Sequence, residues 1–520
     1  MLDRWRPLWA LLLVVGGGSS WQMDPRRVEE ALNRSVFAYD GRNGGKPTAE
    51  WDEGDVGRSA RRFLRSYLWD PLSSVLILDG KMIVDKRFLE GNNNKCKKHA
   101  GFVVSMLSEF HTSSASGKRG LPNSAYKFST SSIGEVKGKE REPWFVMAKD
   151  TIDRAGILIP NPYFEMMTDW SVYRSHLHAV ANERPFDRRR KAAFWRGAIR
   201  NRADPKNRAN QCKFDLGNYA RLKAASLSVS DPDLVNVKCA GLAKCEPRDD
   251  PGFCDGVADA PPMPYDTKAM LRAAKKPKLI SDEQWTMQDD FSRHKYVLNL
   301  PGSTHGSYSR NLNHLWSLGS VVLQWATRAV EWYYPALVDG ENYVVVDGES
   351  LVPTVKRLEA DPAEAHRLVQ GARHVDKAFL CAECIADHFR RALEAVRDHW
   401  REDLVLDDPC ALQAFLEDDE TAAALSCDDL DLVEIVASYT NGLVSNVESW
   451  QRSYDKWTDP TPGMFKNMFH YSEMPREDRS AYGGWTHAVL DAKPLRGSGS
   501  SCARLANHAR KRCPRAPEED

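Results

Sequence analysis

The sequence predicts an α/β protein organised around a parallel sheet, on three observations. Between residues 295 and 346, apolar strand-like runs at 296–300, 320–323 and 343–346 alternate with helical patterns at 308–318 and up to 333. Successive strands joined through helices pair in parallel, with the helices on the sheet's faces. Upstream, residues 75–84 form two apolar runs around Asp79-Gly80, a strong signal for a tight hairpin turn. Downstream, two long helical patterns run over about 361–373 and 375–399.

The remaining elements follow in chain order. Residues 24–70 read as helical, with Ala60, Phe63, Leu64 and Leu68 on one face of 56–69. Residues 90–98 and 112–142 are polar and broken by Gly and Ser, which predicts loops, whereas 144–148 and 156–160 read as short buried strands. The stretch 184–208 is dense in Arg and Lys and encloses a strand at 192–195 that ends in Arg196-Gly197. Residues 200–290 are rich in Pro, Asp and Asn, with one helix around 218–225. The stretch 402–434 is strongly acidic, 455–490 is irregular and aromatic, and the Gly/Ser-rich, then basic, tail from Ser498 predicts poor order.

Length and composition narrow the class. The 520 residues leave room for two or three domains of roughly 150 residues each. With 42% hydrophobic and 28% charged residues, the chain has the make-up of a globular protein with a core. Lys plus Arg balances Asp plus Glu at 72 each, so no global field points to nucleic acid or an anionic membrane. The 16 Trp residues serve either core packing or stacking on sugars.

Arg4 and Arg6 precede an apolar run at 8–15 and then Gly-Gly-Gly-Ser-Ser, the order of a secretory signal peptide over 1–20. The run is far shorter than the roughly 20 residues of a bilayer span, and no later segment supplies one. A lumenal or secreted protein is expected, with a short signal-anchor as the alternative. Eleven cysteines fit an oxidising compartment, with Cys239, Cys245 and Cys254 clustered in a Pro/Gly/Asp-rich stretch and an odd total that leaves one unpaired within the chain. Asn33-Arg34-Ser35 is an N-glycosylation sequon.

The turn from Gly302 to Arg310 is the most informative local feature. It follows a strand and opens a helix, so backbone N–H groups and the positive helix end can receive phosphate oxygens. Arg310 can add a bidentate contact. Neither G-x-G-x-x-G nor G-K-[ST] is present. The alternative is a plain strand-to-helix turn with a surface arginine. Arg196-Gly197 poses the same choice, between an anion approach beside a cation and a solvated basic face.

These residues also carry a resemblance. Phe194-Trp-Arg-Gly197, Lys295-Tyr-Val-Leu-Asn-Leu-Pro-Gly302, Ser307-Tyr-Ser-Arg310, Leu318-Gly-Ser-Val-Val-Leu323, Glu331-Trp-Tyr-Tyr-Pro335 and Asn342-Tyr-Val-Val-Val346 stand in sequence. In order and spacing they resemble the Rumi-like, capsule-associated protein O-glucosyltransferase family. Ile157-Leu-Ile-Pro-Asn-Pro162, the hairpin at Asp79-Gly80, Gly371-Ala-Arg-His374 and the helix at 379–400 extend the resemblance over roughly 75–400.

The resemblance implies a GT-B-like fold, two Rossmann-type halves facing each other across a cleft, with extra C-terminal helices. The acceptor-side half would span 21–185, the nucleotide-sugar half 186–400, and an extension without an assigned role 401–520. It implies an inverting, metal-independent transfer of glucose or xylose, from UDP-glucose or UDP-xylose, to a hydroxyl of a protein or glycan. The UDP-sugar is a co-substrate, and no cofactor or metal is implied. Carried over by position, Arg196 and Arg310 match the arginines on the donor diphosphate. Gly302 and Ser303 lie at the phosphate turn, Gly197 and Ser309 beside the arginines, and Glu331 at the acidic position near the nucleoside sugar. Without a metal, fixed cations stabilise the charge that builds on the leaving diphosphate.

The general base departs from the family pattern. The family places an Asp on a short strand ahead of the segment matching Pro143-Trp-Phe-Val146. Here that stretch reads Tyr126-Lys-Phe-Ser-Thr-Ser-Ser132, with Thr130 or Ser131 at the position. A hydroxyl is no general base near neutral pH. Asp150, followed by Asp153, is the candidate substitute; the alternative is a catalytically weak paralogue that binds a nucleotide sugar or glycan. Asp429-Leu-Asp431 has a D-x-D form but sits in an acidic run. Cys381, Cys384 and His388 have helical spacing but no second ligand pair for zinc, so a disulfide partner plus a buried thiol is expected. His305 lies in the phosphate turn and could reach an oxygen. The terminal Pro517-Glu-Glu-Asp520 is no lumenal retention signal, so endoplasmic reticulum, Golgi and secretion stay open.

Overall fold

Asp79 and Gly80 take φ of 54° and 72°, the two left-handed residues that a two-residue hairpin requires. They join β1 (Ser74–Leu78) to β2 (Lys81–Asp85) with Leu78 opposite Lys81. β3 (Ser124–Phe128) adds antiparallel to β1, and β4 (Trp144–Val146) and β5 (Ile157–Leu158) add in parallel beyond it. In this computed structural model the described residues are 24–37, 57–90 and 155–200 with short breaks, 94–111, 120–130, 142–149, 216–239, 245–246, 288–302, 312–438 except 328, and 489–513.

The second sheet is parallel throughout. Its strands β6 (Arg190–Gly197), β8 (Val235–Cys239), β10 (His294–Asn299), β11 (Val321–Trp325) and β12 (Val344–Val346) stand in the order β12-β11-β10-β6-β8. A small pair, β7 (Ile199–Arg200) and β9 (Cys245–Glu246), lies beyond β6 and β8 in the chain. The end of the chain then returns to the first sheet. β13 (Leu432–Ser438) pairs with β2, and β14 (Val489–Pro494) with β13, so residues of the 401–520 extension complete a seven-stranded sheet. That sheet is mixed, parallel only across β3, β4 and β5.

Strand alternation sends the second sheet's side chains into two cores. Trp195, Tyr296, Leu298, Val321 and Leu323 enter one, with residues of the helices at 216–230 and 351–360. Phe194, Val297 and Val322 enter the other, which is shared with the first sheet. Helices α1 (Arg26–Phe37), α2 (Asn94–His111), α3 (Met167–Glu183), α4 (Leu216–Ser230), α5 (Leu312–Leu315), α6 (Leu351–Ala360), α7 (Pro362–Phe379) and α8 (Ala382–Trp400) cover these faces. α8 follows the second sheet in the chain yet packs on the first. Its Phe389 meets Phe102, Tyr126 and Phe145 edge-on.

Several expectations change. The predicted loop at 90–98 is entered by α2, and the one at 112–142 contains β3, whose five residues are all buried. Polar residues hid that strand: Ser124 donates to the buried Glu402, and Lys127 pairs with Glu142. The helix at 308–318 is, among the described residues, α5 plus a 3-10 turn ended by left-handed Gly319. In place of a helix up to 333, Val330 forms a β-bridge with Lys149. The break between the two long helices falls at 380–381 rather than 374, because Asp376 in the last turns of α7 is held by Arg174, His178 and Ser317. Burial pushes its carboxyl up, but the bonds from His178 and Arg174 outweigh it and hold it at about 2.

Within the tail from Ser498, the described residues up to Cys513 are ordered. Ser500 caps helix Ser501–Arg510, and the pairs Cys410–Cys513 and Cys427–Cys502 fasten it to the acidic region, where Asp408 and Asp418 cap two further helices. Closing loops of 103 and 75 residues restricts the unfolded chain strongly, an order that sequence patterning cannot register. Cys381 and Cys384 pair with each other instead of leaving one buried thiol. Cys96 is a buried free thiol, and Cys254 lies outside the described residues.

Gly371 gives a test of α7's packing. A Cβ there would lie 1.9 Å from the Glu341 carbonyl oxygen, which is backbone and cannot rotate away. Alanine is favoured over glycine inside a helix by about 1 kcal/mol. Here Gly371→Ala is nevertheless expected to lower the thermal midpoint, by roughly 1–3 kcal/mol of overpacking. Thermal melts of the two proteins check the sign.

Candidate functional site

The chain enters the second sheet at β6, adds β8 on one side, then crosses over to place β10, β11 and β12 on the other. Strand order therefore reverses between β6 and β10. At such a reversal the connections leave toward opposite faces, and the carboxyl ends of the two strands open a crevice where ligands bind in α/β sheets. The residues there are Arg196 and Gly197 at the end of β6, and Asn299 to Gly302 at the end of β10. Ser303, His305, Ser309, Arg310, Asp150 and Asp153 lie outside the described residues.

Arg196 rests on the Phe194 ring, with Cζ 4.3 Å from the centroid. Its Nη1 donates to the carbonyls of Trp195 and Asn236 at 2.9 and 2.8 Å, and its Nη2 to Asn236 Oδ1 at 3.0 Å. Gly197 is required by packing: a Cβ would lie 2.3 Å from the Trp195 ring. The opposite face of β6 carries a cation that sequence reading missed. Arg221 of α4 lies 5.3 Å from the Trp195 ring centroid and donates to the Pro301 carbonyl at 3.0 Å, which ties α4 to the chain just after β10. Nothing in its helical context marked it.

The first sheet approaches through the carboxyl ends of its parallel strands. After β4, Lys149 and Val330 exchange both backbone hydrogen bonds, at 3.0 and 2.8 Å. After β5, Asn161 donates to Glu331 Oε2 at 3.0 Å and accepts a long 3.4 Å contact from Asn313. Tyr334 donates to Glu331 Oε1 at 2.9 Å. Glu331 is fully buried at this junction of the two sheets. Burial pushes its carboxyl up to about 7, against the opposing pull of the Tyr334 and Asn161 bonds. At the end of β3, the Thr130 carbonyl accepts from Lys95 Nζ at 2.7 Å.

Residues 157–395 match the family model Glycosyl transferase family 90. The match supports a glycosyltransferase, which joins a sugar from an activated donor to an acceptor. It begins at β5 and ends in α8, so it contains the whole second sheet and the junction at Glu331. No curated protein matches the chain.

Other singled-out residues are structural. His388 stacks on Trp332 at 4.4 Å and bonds the Leu158 carbonyl; burial brings its imidazole down to about 4. The Asp431 backbone N–H donates to Asp85, and the Asp429 carbonyl accepts from Arg87, so Asp429-Leu430-Asp431 anchors β13 beside β2. Asn33 faces outward on α1, whereas Ser35 of the same sequon is buried and accepts from Lys149 Nζ at 2.9 Å. No helix among the described residues is long and apolar enough to cross a membrane.

Two outcomes follow. Glu331 is protonated in both folded and unfolded chains below about pH 4.5; between there and about 7 only the folded chain keeps the proton. Stability therefore falls as pH rises through that window, by on the order of 3 kcal/mol for a separation of this size. Glu331→Gln should flatten that slope, so urea midpoints at pH 5 and pH 8 should converge relative to the native chain. For the sequon, Asn33→Gln should remove a glycan shift on gels from secreted protein without moving the thermal midpoint. Ser35→Ala should remove the same shift and also cost about 1 kcal/mol, through the lost partner of Lys149.

Proposed function

We propose that the chain is an inverting, UDP-sugar-dependent glycosyltransferase of the secretory pathway, moving glucose or xylose to a hydroxyl on a protein or glycan without a metal. The observation that carries this is a coincidence of place. The strand-order reversal inside the matched region falls at Arg196, Gly197 and Gly302, the positions that the resemblance gives to the donor diphosphate. Three disulfides among the described residues fit an oxidising lumen.

In this reading the donor diphosphate lies over the ends of β6 and β10, held by Arg196, Arg310 and backbone N–H groups of the turn at Gly302 and Ser303, with Ser309 beside it. Arg221 fixes the shape of that turn through Pro301. The acceptor approaches over the carboxyl ends of β3, β4 and β5. Its hydroxyl oxygen bonds to the anomeric carbon from the face opposite the leaving group, the bond to the diphosphate oxygen breaks, and the configuration inverts. The two arginines stabilise the charge gained by the leaving diphosphate. Asp150, which follows the bridged Lys149, takes the acceptor proton. Glu331 sets the nucleoside side of the crevice from within the junction.

A second reading, a weak paralogue that binds a nucleotide sugar without turning it over, is favoured by one observation. The position where a base would stand after β3 is Thr130 or Ser131, each a hydroxyl. Calorimetric UDP binding and UDP-glucose hydrolysis by the purified protein in EDTA, beside Arg196→Ala, Arg310→Ala and Asp150→Asn, separate the readings. The enzyme reading expects micromolar UDP binding, weakened at least about tenfold by either arginine variant. It also expects EDTA-resistant turnover, lost in Asp150→Asn with binding retained. UDP binding without turnover, even with acceptor glycoproteins present, supports the paralogue. Absence of UDP binding sinks both.

A further inference from the structure

The second sheet carries a polar row directly above the apolar face that it turns toward the first sheet. Phe194, Val297 and Val322 lie on that face, and the strands alternate, so Arg196, Asn299 and Gln324, each two residues further on, point the same way. The register agrees: Phe194 is opposite Val297, Asn299 opposite Gln324, and Gln324 opposite Val345 on β12. Arg196, Asn299 and Gln324 thus stand side by side on β6, β10 and β11, at the carboxyl ends of the strands.

Asn299 is 3% exposed and Gln324 6%, yet among the described residues neither Asn299 Oδ1 nor Gln324 Oε1 has a hydrogen-bond partner. Buried carbonyl oxygens are paired in the great majority of cases, and two unpaired ones on register partners call for a ligand. The row reaches solvent at its β12 end, where Val345 is 39% exposed. Adjacent strands lie ~4.8 Å apart, so the two side chains leave the sheet within the width of a single small ring.

We infer that Asn299 and Gln324 together accept hydrogen bonds from a vicinal diol of the nucleotide-sugar donor, beside the diphosphate at Arg196; this rests on the donor-site reading above. The chemistry selects a diol. Two unpaired acceptors need two donors, which neighbouring sugar hydroxyls supply. A uracil ring offers one N–H, and a phosphate ester offers acceptors only. Both the ribose and the transferred sugar carry such a diol, and the test assigns one.

Calorimetry with UDP, UDP-glucose and 2′,3′-dideoxyuridine diphosphate, on the native chain, Asn299→Leu and Gln324→Met, decides the matter. Each substitution removes an unpaired polar group at similar volume, so the thermal midpoint should hold or rise while affinity falls at least about tenfold. A purely structural amide would show the reverse. If the ribose supplies the diol, both variants weaken UDP, and the native chain binds the dideoxy nucleotide at least tenfold more weakly than UDP. If the transferred sugar supplies it, the native chain binds UDP-glucose more tightly than UDP, and the variants erase only that gain. Native-like binding of both UDP and UDP-glucose by both variants overturns the inference and leaves the donor site standing. Should a variant fail to fold, the native chain still decides: equal affinity for all three nucleotides overturns the diol. If the native chain binds neither UDP nor UDP-glucose, the donor-site reading fails, and the inference with it.

Discussion

Two sheets from different parts of the chain are held in one relation by a short segment between β11 and β12. Its backbone bonds to the first sheet through the pair Lys149 and Val330, and its next residue, Glu331, reaches Asn161 beyond β5. Trp332 and Tyr333 then fill the space against Phe379 and His388. A carboxyl enclosed this completely, satisfied by an amide and a phenol, is expensive to leave unpaired. That gives the junction one well-defined arrangement. The relation of the two sheets, and of the strand ends they turn toward each other, inherits its geometry from this contact.

The chain reinforces the junction by returning across it. α8 leaves the second sheet and buries Phe389 among the aromatic rings of the first, and the C-terminal strands then lengthen the first sheet from β2 outward. Asp376 and its partners fasten α7 to α3 and to the turn after α5. The disulfides Cys410–Cys513 and Cys427–Cys502 lock the far end. The second sheet is thus enclosed by elements whose other contacts lie on the first, so neither sheet shifts without the other.

At the reversal of strand order, the residues proposed to hold the donor are also packing residues. Gly197 lets the Trp195 ring lie across the end of β6, and Arg221 stacks on that ring while bonding the Pro301 carbonyl. Arg196 occupies the other face, against Phe194. The chain leaving β10 at Pro301 is therefore buttressed through an aromatic ring and a helix arginine of α4.

The sequence by itself determined the elements whose cause is local. Asp79-Gly80 specified a hairpin because its two left-handed angles are a property of those residues, and alternation over 295–346 specified parallel strands because the pattern repeats within the segment. The motif positions Arg196, Gly197 and Gly302 were legible in the same way, as a cation and glycines at the ends of apolar runs. Only the tertiary structure decided features that depend on residues distant in the chain. β3 is buried because Glu402 and Glu142 satisfy its Ser124 and Lys127, and the last helix is ordered because cysteines 75 and 103 residues apart meet. Arg221, Asn299 and Gln324 gained meaning the same way. A polar residue ending an apolar strand looks like the strand's edge until register places two of them side by side, their carbonyl oxygens unpaired among the described residues, next to the point where the strand order turns back.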